Sequence, residues 1–176
     1  IDELHSALDP KAYRKAVALL AESEFIDIFG VENSLTPAMD LFTKLGYLGL
    51  TCRLNTDAYL QQIGAGHLPH GAVAVAFSHS GSSADTVKAL RLAKSHGAKT
   101  IAITNAIGAP LASWADVTLL TGRDSHTIYG NAIFSRVADT ALVDMLYMGV
   151  ILSGYGRFST ALDESGRMIR DRVFEN

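Results

Sequence analysis

The stretch that decides the fold of this chain reads Ala72-Val-Ala-Val-Ala-Phe77, then Ser78-His-Ser-Gly-Ser-Ser83, then Ala84-Asp-Thr-Val-Lys88. An apolar run that ends in a turn signal is typical of a strand buried on both faces, as in a parallel sheet. Past the turn, apolar side chains recur at helical spacing, at Ala84, Val87, Leu90 and Ala93. The stretch therefore predicts a buried strand, a tight turn and a helix in direct succession.

The turn in this stretch has the composition of an anion-binding site. Its serines, each able to donate a hydroxyl hydrogen bond, are Ser78, Ser80, Ser82 and Ser83. The helix that follows adds unpaired backbone N–H groups and the positive end of its dipole. The alternative is that the serines only cap the helix. Their density directly after a buried strand favours a phosphate site.

Size and composition describe one globular domain, residues 1–176. The apolar fraction of 48% and charged fraction of 19% are ordinary for such a domain. The absence of a long uncharged apolar run predicts no membrane span, and a cytoplasmic location is the default expectation. A net charge of −3 argues against a basic surface for nucleic acid. The single cysteine, Cys52, excludes an internal disulfide.

Outward from the central stretch, strand and helix patterns alternate along the chain. Further strands are predicted at 25–29, 50–54, 99–104 and 116–120. Asp9-Pro10 predicts a helix start, within a helical N-terminal extension over residues 1–23. Thr56 or Asp57 caps a helix that runs to about Ala65. This alternation favours an α/β fold.

Two helices complete the predicted chain. The first is long and apolar nearly all round, from about Tyr129 to Leu152, and a break at Ser153–Gly156 follows it. The second is an amphipathic C-terminal helix over residues 157–175. One sheet face cannot cover an apolar helix on every side, so we expect a homo-oligomer, a dimer or tetramer.

The predicted architecture is a three-layer αβα sandwich of the flavodoxin-like type, with a five-stranded parallel sheet in the order 2-1-3-4-5. Right-handed crossovers place helices on both faces. Ligands of such sheets bind at the carboxyl ends of the strands, where the strand order reverses. The turn after the first strand ends in Ser34, and the turn after the third carries the serine cluster. Both turns would flank the same pocket.

At this point the sequence resembles the SIS (sugar isomerase) domain. The similar segments, in order, are Phe77-Ser-His-Ser-Gly-Ser-Ser83, Lys94-Ser-His-Gly-Ala-Lys-Thr-Ile-Ala-Ile-Thr-Asn105 and Ala109-Pro-Leu-Ala-Ser-Trp-Ala-Asp116. The later Ser135-Arg136 and Val143-Asp-Met-Leu-Tyr147 look like the effector domain of RpiR-type transcriptional regulators, which bind phosphosugars. The resemblance covers residues from Ile26 to about Leu152.

The resemblance implies phosphate contacts by the hydroxyls of Ser78, Ser80 and Ser83 and by the backbone N–H groups of His79 and Gly81. It also implies that Ser34 contacts the phosphate or a neighbouring hydroxyl. One departure from the family stands beside Ser34. The family turn reads Gly-x-Gly-x-Ser, whereas this chain has Gly30-Val-Glu-Asn-Ser34. Glu32 could narrow the pocket, repel one class of phosphosugar, or bind an amino or hydroxyl group.

The histidines predict neither a metal site nor a cofactor. Only His67 and His70 have a spacing suited to metal, and a third ligand nearby is missing. His79 matters by position, because its protonation inside the serine turn would strengthen phosphate binding. His126, in the loop after the fifth strand, is a candidate second ligand contact.

Two functions remain open from the sequence. Isomerases of this family need a carboxylate base, and no glutamate occurs between Glu32 and Glu164. This favours a phosphosugar sensor domain of an RpiR-type regulator, with DNA bound only through a helix-turn-helix module upstream of Ile1. The alternative is a stand-alone aldose–ketose phosphosugar isomerase, with Glu32 or Asp57 as the base.

Overall fold

The computed structural model describes residues 2–123 and 135–170. Its strands are β1 (Ile26–Phe29), β2 (Cys52–Leu54), β3 (Val73–Phe77), β4 (Lys99–Thr104) and β5 (Val117–Leu120). Its α-helices are α1 (Asp2–Ala7), α2 (Pro10–Glu22), α3 (Leu35–Tyr47), α4 (Ala58–Ala65), α5 (Ala84–Ser95), α6 (Val137–Ser153) and α7 (Tyr155–Met168). Short 3-10 helices span Glu32–Ser34 and Pro110–Trp114.

The strands form one parallel sheet in the order β2-β1-β3-β4-β5. The strand order therefore reverses between β1 and β3, which lie side by side although β2 separates them in sequence. Phe29 at the end of β1 pairs with Ala76 near the end of β3. The predicted fold class and strand order are confirmed, and both predicted turns leave the sheet at the same edge.

The two faces of the sheet carry side chains of different size. Because successive side chains of a strand point to opposite faces, alternate residues build separate cores. One face consists of branched and aromatic residues that pack against α2, α3 and α6, including Ile28, Val75 and Ile103. The other is mostly alanine and packs against α4 and α5. The small side chains let those helices approach the sheet closely.

The helix ends follow local chemistry. The carboxylate of Asp9 accepts from Lys11 N at 2.9 Å, with Pro10 as the first helical residue of α2. Of the two candidate caps for α4, the structure uses Asp57, which accepts from Leu60 N at 2.9 Å. Helix α5 ends at Ser95, and Gly97, just after the C-cap His96, has a φ of 87°, the left-handed value that glycine adopts at low cost.

The last two helices differ from their predicted bounds. Ser135 and Arg136 precede α6 and are not helical: Arg136 stands at the N-cap position without a side-chain capping hydrogen bond, and Ser135 Oγ accepts from Val137 N at 3.2 Å. The predicted start at Tyr129 lies outside the described residues. The chain bends by 116° between α6 and α7, and the break is confined to Gly154, where Tyr155 already begins α7.

Helix α7 also ends earlier than the predicted residue 175. It stops at Met168, which is 77% exposed, and Ile169 and Arg170 lie outside the α-helix. A short helix depends on packing for its stability, and these last apolar side chains have little to pack against. Within residues 2–123 and 135–170, no single helix is long and apolar enough to cross a membrane, although the bent pair α6–α7 passes that test on length and composition together.

Candidate functional site

The turns after β1 and β3 meet across a small cleft at the carboxyl edge of the sheet. Its volume is about 110 Å³. It is lined by Val31, Glu32, Asn33, Ser34, His79, Ser80, Ser83 and Arg136. The cleft therefore lies where the strand order reverses, which is the position that ligands occupy in open parallel sheets.

The serine turn is folded so tightly that its central position excludes a side chain. Gly81 has a φ of 63°. A Cβ built on it would lie 2.3 Å from Ala109 Cβ and 2.9 Å from Thr104 Oγ1. Its N–H donates to Ser78 O at 3.0 Å, and its carbonyl accepts from Leu111 N at 2.9 Å. The turn is thus held against the β4 edge by its own backbone.

The serine hydroxyls do not cap α5. Ser83 stands at the N-cap position, but its side chain makes no capping hydrogen bond. Ser78 Oγ donates to Ser83 Oγ at 3.2 Å, while Ser80 Oγ accepts from Ser82 N at 3.3 Å. Ser80 and Ser83 line the cleft instead. This arrangement is the one expected of an anion site rather than of a helix cap.

The turn after β1 is held by a buried glutamine of α4. Gln61 is 1% exposed. Its Nε2 donates to Gly30 O at 2.7 Å and to Asn55 O at 2.8 Å, and its Oε1 accepts from Gly30 N at 3.3 Å. One amide thus joins the ends of β1 and β2, so the cleft wall that begins at Gly30 is fixed from behind.

Glu32, in this first turn, has an unusual backbone conformation. Its φ is 52°, and among the described residues it is the one non-glycine residue with a positive φ. Its side chain is exposed at the cleft, whereas Ser34 nearby is buried. Strained backbone of this kind persists where the surrounding structure holds it, most often at functional sites.

Arg136 brings a buried cation to the cleft. Its side chain is 12% exposed, and its Nε lies 4.0 Å from Asp139 Oδ2. That distance is too long for a hydrogen bond. Within the described part of the chain, Nε and Nη1 are buried without a hydrogen-bond partner. Since a buried guanidinium costs free energy unless its donors are satisfied, this geometry suits a bound anion.

His79 lies beside this guanidinium. Burial lowers the pKa of His79, and the positive charge of Arg136 lowers it further, while the carboxylate of Asp139 acts in the opposite direction. The imidazole is therefore held toward its neutral form. A bound phosphate would add negative charge here and favour the protonated form.

The structure brings together most, but not all, of the residues singled out from sequence. Glu32, Ser34, His79, Ser80 and Ser83 all line the cleft.

Ser78 and Gly81 lie within the serine turn, outside the cleft lining. Ser78 is 1% exposed and orients Ser83. The expected phosphate contact by Gly81 N–H is not available in this arrangement, because that group already donates to Ser78 O. His126 lies outside the described residues.

Sequence reasoning missed Arg136, Asn33 and Gln61. The predicted helix from about Tyr129 placed Arg136 inside a helix, and its only signal was its place in the Ser135-Arg136 segment that looks like RpiR-type effector domains. Gln61 had none, because an amide in a helix carries no motif. Among the described residues, no group of three histidine, cysteine, aspartate or glutamate side chains is arranged to hold a metal ion.

Comparison with known proteins agrees with this geometry. The family model described as SIS domain matches residues 19–149. An uncharacterized HTH-type transcriptional regulator of Caldanaerobacter subterraneus subsp. tengcongensis is 30% identical over 176 residues, covering 100% of this chain and 62% of the relative. The HTH-type transcriptional regulator RpiR of Escherichia coli K12 is 24% identical over 169 residues, covering 96% of this chain and 54% of RpiR.

The chain thus spans about half to two thirds of the length of these curated relatives. Among solved structures, the Vibrio vulnificus NanR protein complexed with ManNAc-6P is 25% identical with a TM-score of 0.90. That match covers 99% of this chain and 67% of NanR. Because the family model covers most of the sheet and both turns of the cleft, the chain belongs to the SIS domain family.

Proposed function

We propose that this chain is the phosphosugar-binding effector domain of an RpiR-type transcriptional regulator. The observation that supports this most is the cleft itself, because Ser80, Ser83 and Arg136 line one small space and two guanidinium donors of Arg136 are buried without a hydrogen-bond partner among the described residues. Two relatives are HTH-type transcriptional regulators, and NanR was solved with ManNAc-6P. A phosphate attached to a polyhydroxylated chain satisfies such a set of donors.

In this proposal the phosphate lies between Arg136 and the serine turn. Ser80 and Ser83 donate from the turn, and Ser78 holds the Ser83 hydroxyl from behind. The start of α5 adds the positive end of its dipole. Ser34 lies across the cleft and contacts the phosphate or the nearest sugar hydroxyl. His126 remains a candidate second contact, on the sequence argument alone.

The test is a calorimetric binding screen of sugar phosphates with matched serine variants. Hydrogen bonds to a charged group contribute about 1.5–3 kcal/mol each, so Ser80→Ala should weaken phosphosugar binding by roughly 10-fold or more. Ser82→Ala is the control, because Ser82 is exposed and does not line the cleft. Unchanged affinity in Ser80→Ala, or an equal loss in Ser82→Ala, would contradict the phosphate assignment.

We expect binding without turnover. Isomerisation needs a base within reach of the carbon next to the carbonyl. Among residues 2–123 and 135–170, Glu32 is the carboxylate that lines the cleft, and it stands on a turn beside the proposed phosphate site. Incubation with aldose and ketose phosphates in heavy water should show no deuterium at that carbon. Exchange that disappears in Glu32→Gln would favour the isomerase alternative instead.

The proposal includes self-association through α6. Three apolar side chains of this helix are largely exposed: Val137 at 60%, Met148 at 50% and Leu152 at 68%. A partner subunit that covers them would lie next to Arg136, and so next to the ligand. Light scattering at micromolar concentration should show at least a dimer, which Met148→Lys combined with Leu152→Lys dissociates. A monomeric wild type, or dissociation by Tyr59→Lys on α4, would contradict this assignment.

Control of DNA belongs to the whole protein rather than to this domain. The net charge of −3 gives the chain no basic surface for DNA, and we place that role in a helix-turn-helix module upstream of Ile1. Such a regulator acts in the cytoplasm, where it reaches DNA. The test is an electrophoretic mobility shift with the full-length regulator and its operator. The phosphosugar identified by calorimetry should change operator affinity in the wild type and leave it unchanged in Ser80→Ala.

A further inference from the structure

Glu32 is the residue of the cleft that nothing so far explains. It keeps a left-handed backbone, with a φ of 52°, although a side chain makes that conformation costly. It also places a negative charge at the cleft that Arg136 and the serine hydroxyls make suitable for an anion. A residue that is unfavourable both for the backbone and for phosphate is expected to have a use in recognition.

The position of Glu32 separates it from the deep part of the cleft. Its side chain is exposed, whereas Arg136 is 12% exposed and Ser34 is 8% exposed. The cleft is therefore polarised, with a cation at depth and a carboxylate at the mouth. The volume of about 110 Å³ accommodates a phosphate and leaves the sugar to extend toward the mouth. The outer part of the ligand would then meet Glu32.

The structure points to a ligand class: we propose that Glu32 selects phosphosugars that carry a free ammonium group over those that carry a second anionic group. The inference rests on the proposed phosphosugar function. A carboxylate has only acceptor atoms, so the ligand group opposite it must donate. An ammonium donates a charge-assisted hydrogen bond, roughly twice as strong as a neutral one, whereas a second carboxylate is repelled.

The experiment compares three probes that share a hexose-like carbon chain and a 6-phosphate. Glucosamine 6-phosphate carries an ammonium, glucose 6-phosphate a hydroxyl, and 6-phosphogluconate a carboxylate. In calorimetry at pH 7 the wild type should bind them in that order, with about a 10-fold step or more between the first and the last. In Glu32→Gln, which keeps the shape and removes the charge, the order should collapse to within a few-fold.

The matched control is Glu24→Gln, an equal change of net charge at an exposed glutamate outside the cleft. It should keep the wild-type order. Glu32→Gly is a second variant that controls for misfolding, because glycine adopts the positive φ without strain. It also lacks the carboxylate, so the fully folded variant should bind the three probes within a few-fold of one another.

Three results would overturn the inference. They are an unchanged order in both Glu32 variants, an equal collapse in Glu24→Gln, or binding of none of the three probes. The first two leave the phosphosugar function standing, since the probes still bind. The third is separated from a failure of that function by the wider calorimetric screen with Ser80→Ala.

Discussion

The two turns that form the cleft meet the same backbone requirement in different ways. Each follows a buried parallel strand, and each contains one residue with a left-handed backbone, Gly81 with a φ of 63° and Glu32 with a φ of 52°. At Gly81 a Cβ would lie 2.3 Å from Ala109 Cβ, so no side chain fits. At Glu32 the side chain is exposed and occupies open space beside the ligand cleft.

The difference indicates a division of labour between the turns. The serine turn is constrained by packing, and we infer that its sequence serves the phosphate group that all phosphosugars share. In the turn after β1, residue 32 is constrained by its backbone angle and not by packing of its side chain, so it can vary at a modest cost in stability. On this view, the turn after β1 determines which sugar is accepted, and the serine turn provides the binding of the phosphate.

The sharpest test of this comparison is Gly81→Ala. The left-handed backbone costs about 1–2 kcal/mol and the clash with Ala109 about 1–3 kcal/mol. Thermal unfolding should therefore show that the free energy of unfolding falls by about 2–5 kcal/mol. Gly71→Ala is the control, because Gly71 has a φ of 78° and a Cβ added there would meet no atom within 4 Å. Equal losses in the two variants would mean that packing does not constrain the serine turn.

A smaller effect is expected from Gln61→Ala behind the first turn. The change removes the hydrogen bonds to the buried backbone of Gly30 and to the partly buried carbonyl of Asn55, and it leaves these groups without the amide. Chemical denaturation should show that the free energy of unfolding falls by about 2–3 kcal/mol. Gln62→Ala removes an exposed hydrogen bond to Asp85 at 3.0 Å and should change stability by less than about 0.5 kcal/mol. An equally small loss of stability in Gln61→Ala would show that the turn after β1 keeps its structure without the Gln61 amide.

The third change should stabilise the protein. Glu32→Gly relieves the left-handed backbone, which favours folding by about 1–2 kcal/mol, less the added chain entropy of glycine, for a net gain of about 1 kcal/mol. Glu24→Gly lacks that relief, because Glu24 has no positive φ, and it should lose stability instead. A loss of stability in Glu32→Gly would show that Glu32 is retained for contacts within the turn and not for the ligand.

The smallest effect concerns the pH dependence of His79 on the serine turn. Burial and the charge of Arg136 lower its pKa in the folded state, so the unfolded chain takes up this proton more readily. Stability should fall as the pH drops through about 6.5, the ordinary histidine value, and level off below the folded value.

His79→Gln should flatten this part of the profile, measured by melting temperature between pH 8 and 5. His70→Gln, at an exposed loop histidine, is the control and should leave the profile as in the wild type. A wild-type slope that persists in His79→Gln would assign the dependence to another group.

The sequence by itself determined the local and repetitive features of this protein. Alternating apolar runs and turn signals were enough for the parallel sheet and the two turns, whereas the strand order that the observed strand pairing confirms was taken from the flavodoxin-like architecture and does not follow from the pattern. The physical reason is that buried parallel strands are nearly all apolar and turns need small or polar residues, so both leave a pattern in neighbouring positions. The serine cluster was visible for the same reason, whereas the Glu32 departure was visible only against the family turn Gly-x-Gly-x-Ser.

Only the tertiary structure decided which distant residues share the cleft. Arg136 is more than fifty residues from the serine turn, and its unpaired donors become visible only when the start of α6 packs against that turn. Gln61 joins β1 to β2 through a single amide, a contact with no sequence period. The left-handed backbone of Glu32 was not predicted either, because a glutamate in the sequence, unlike a glycine, does not indicate a positive φ. Contacts between distant residues and backbone strain depend on the whole fold, so the residues next to each position in the sequence do not predict them.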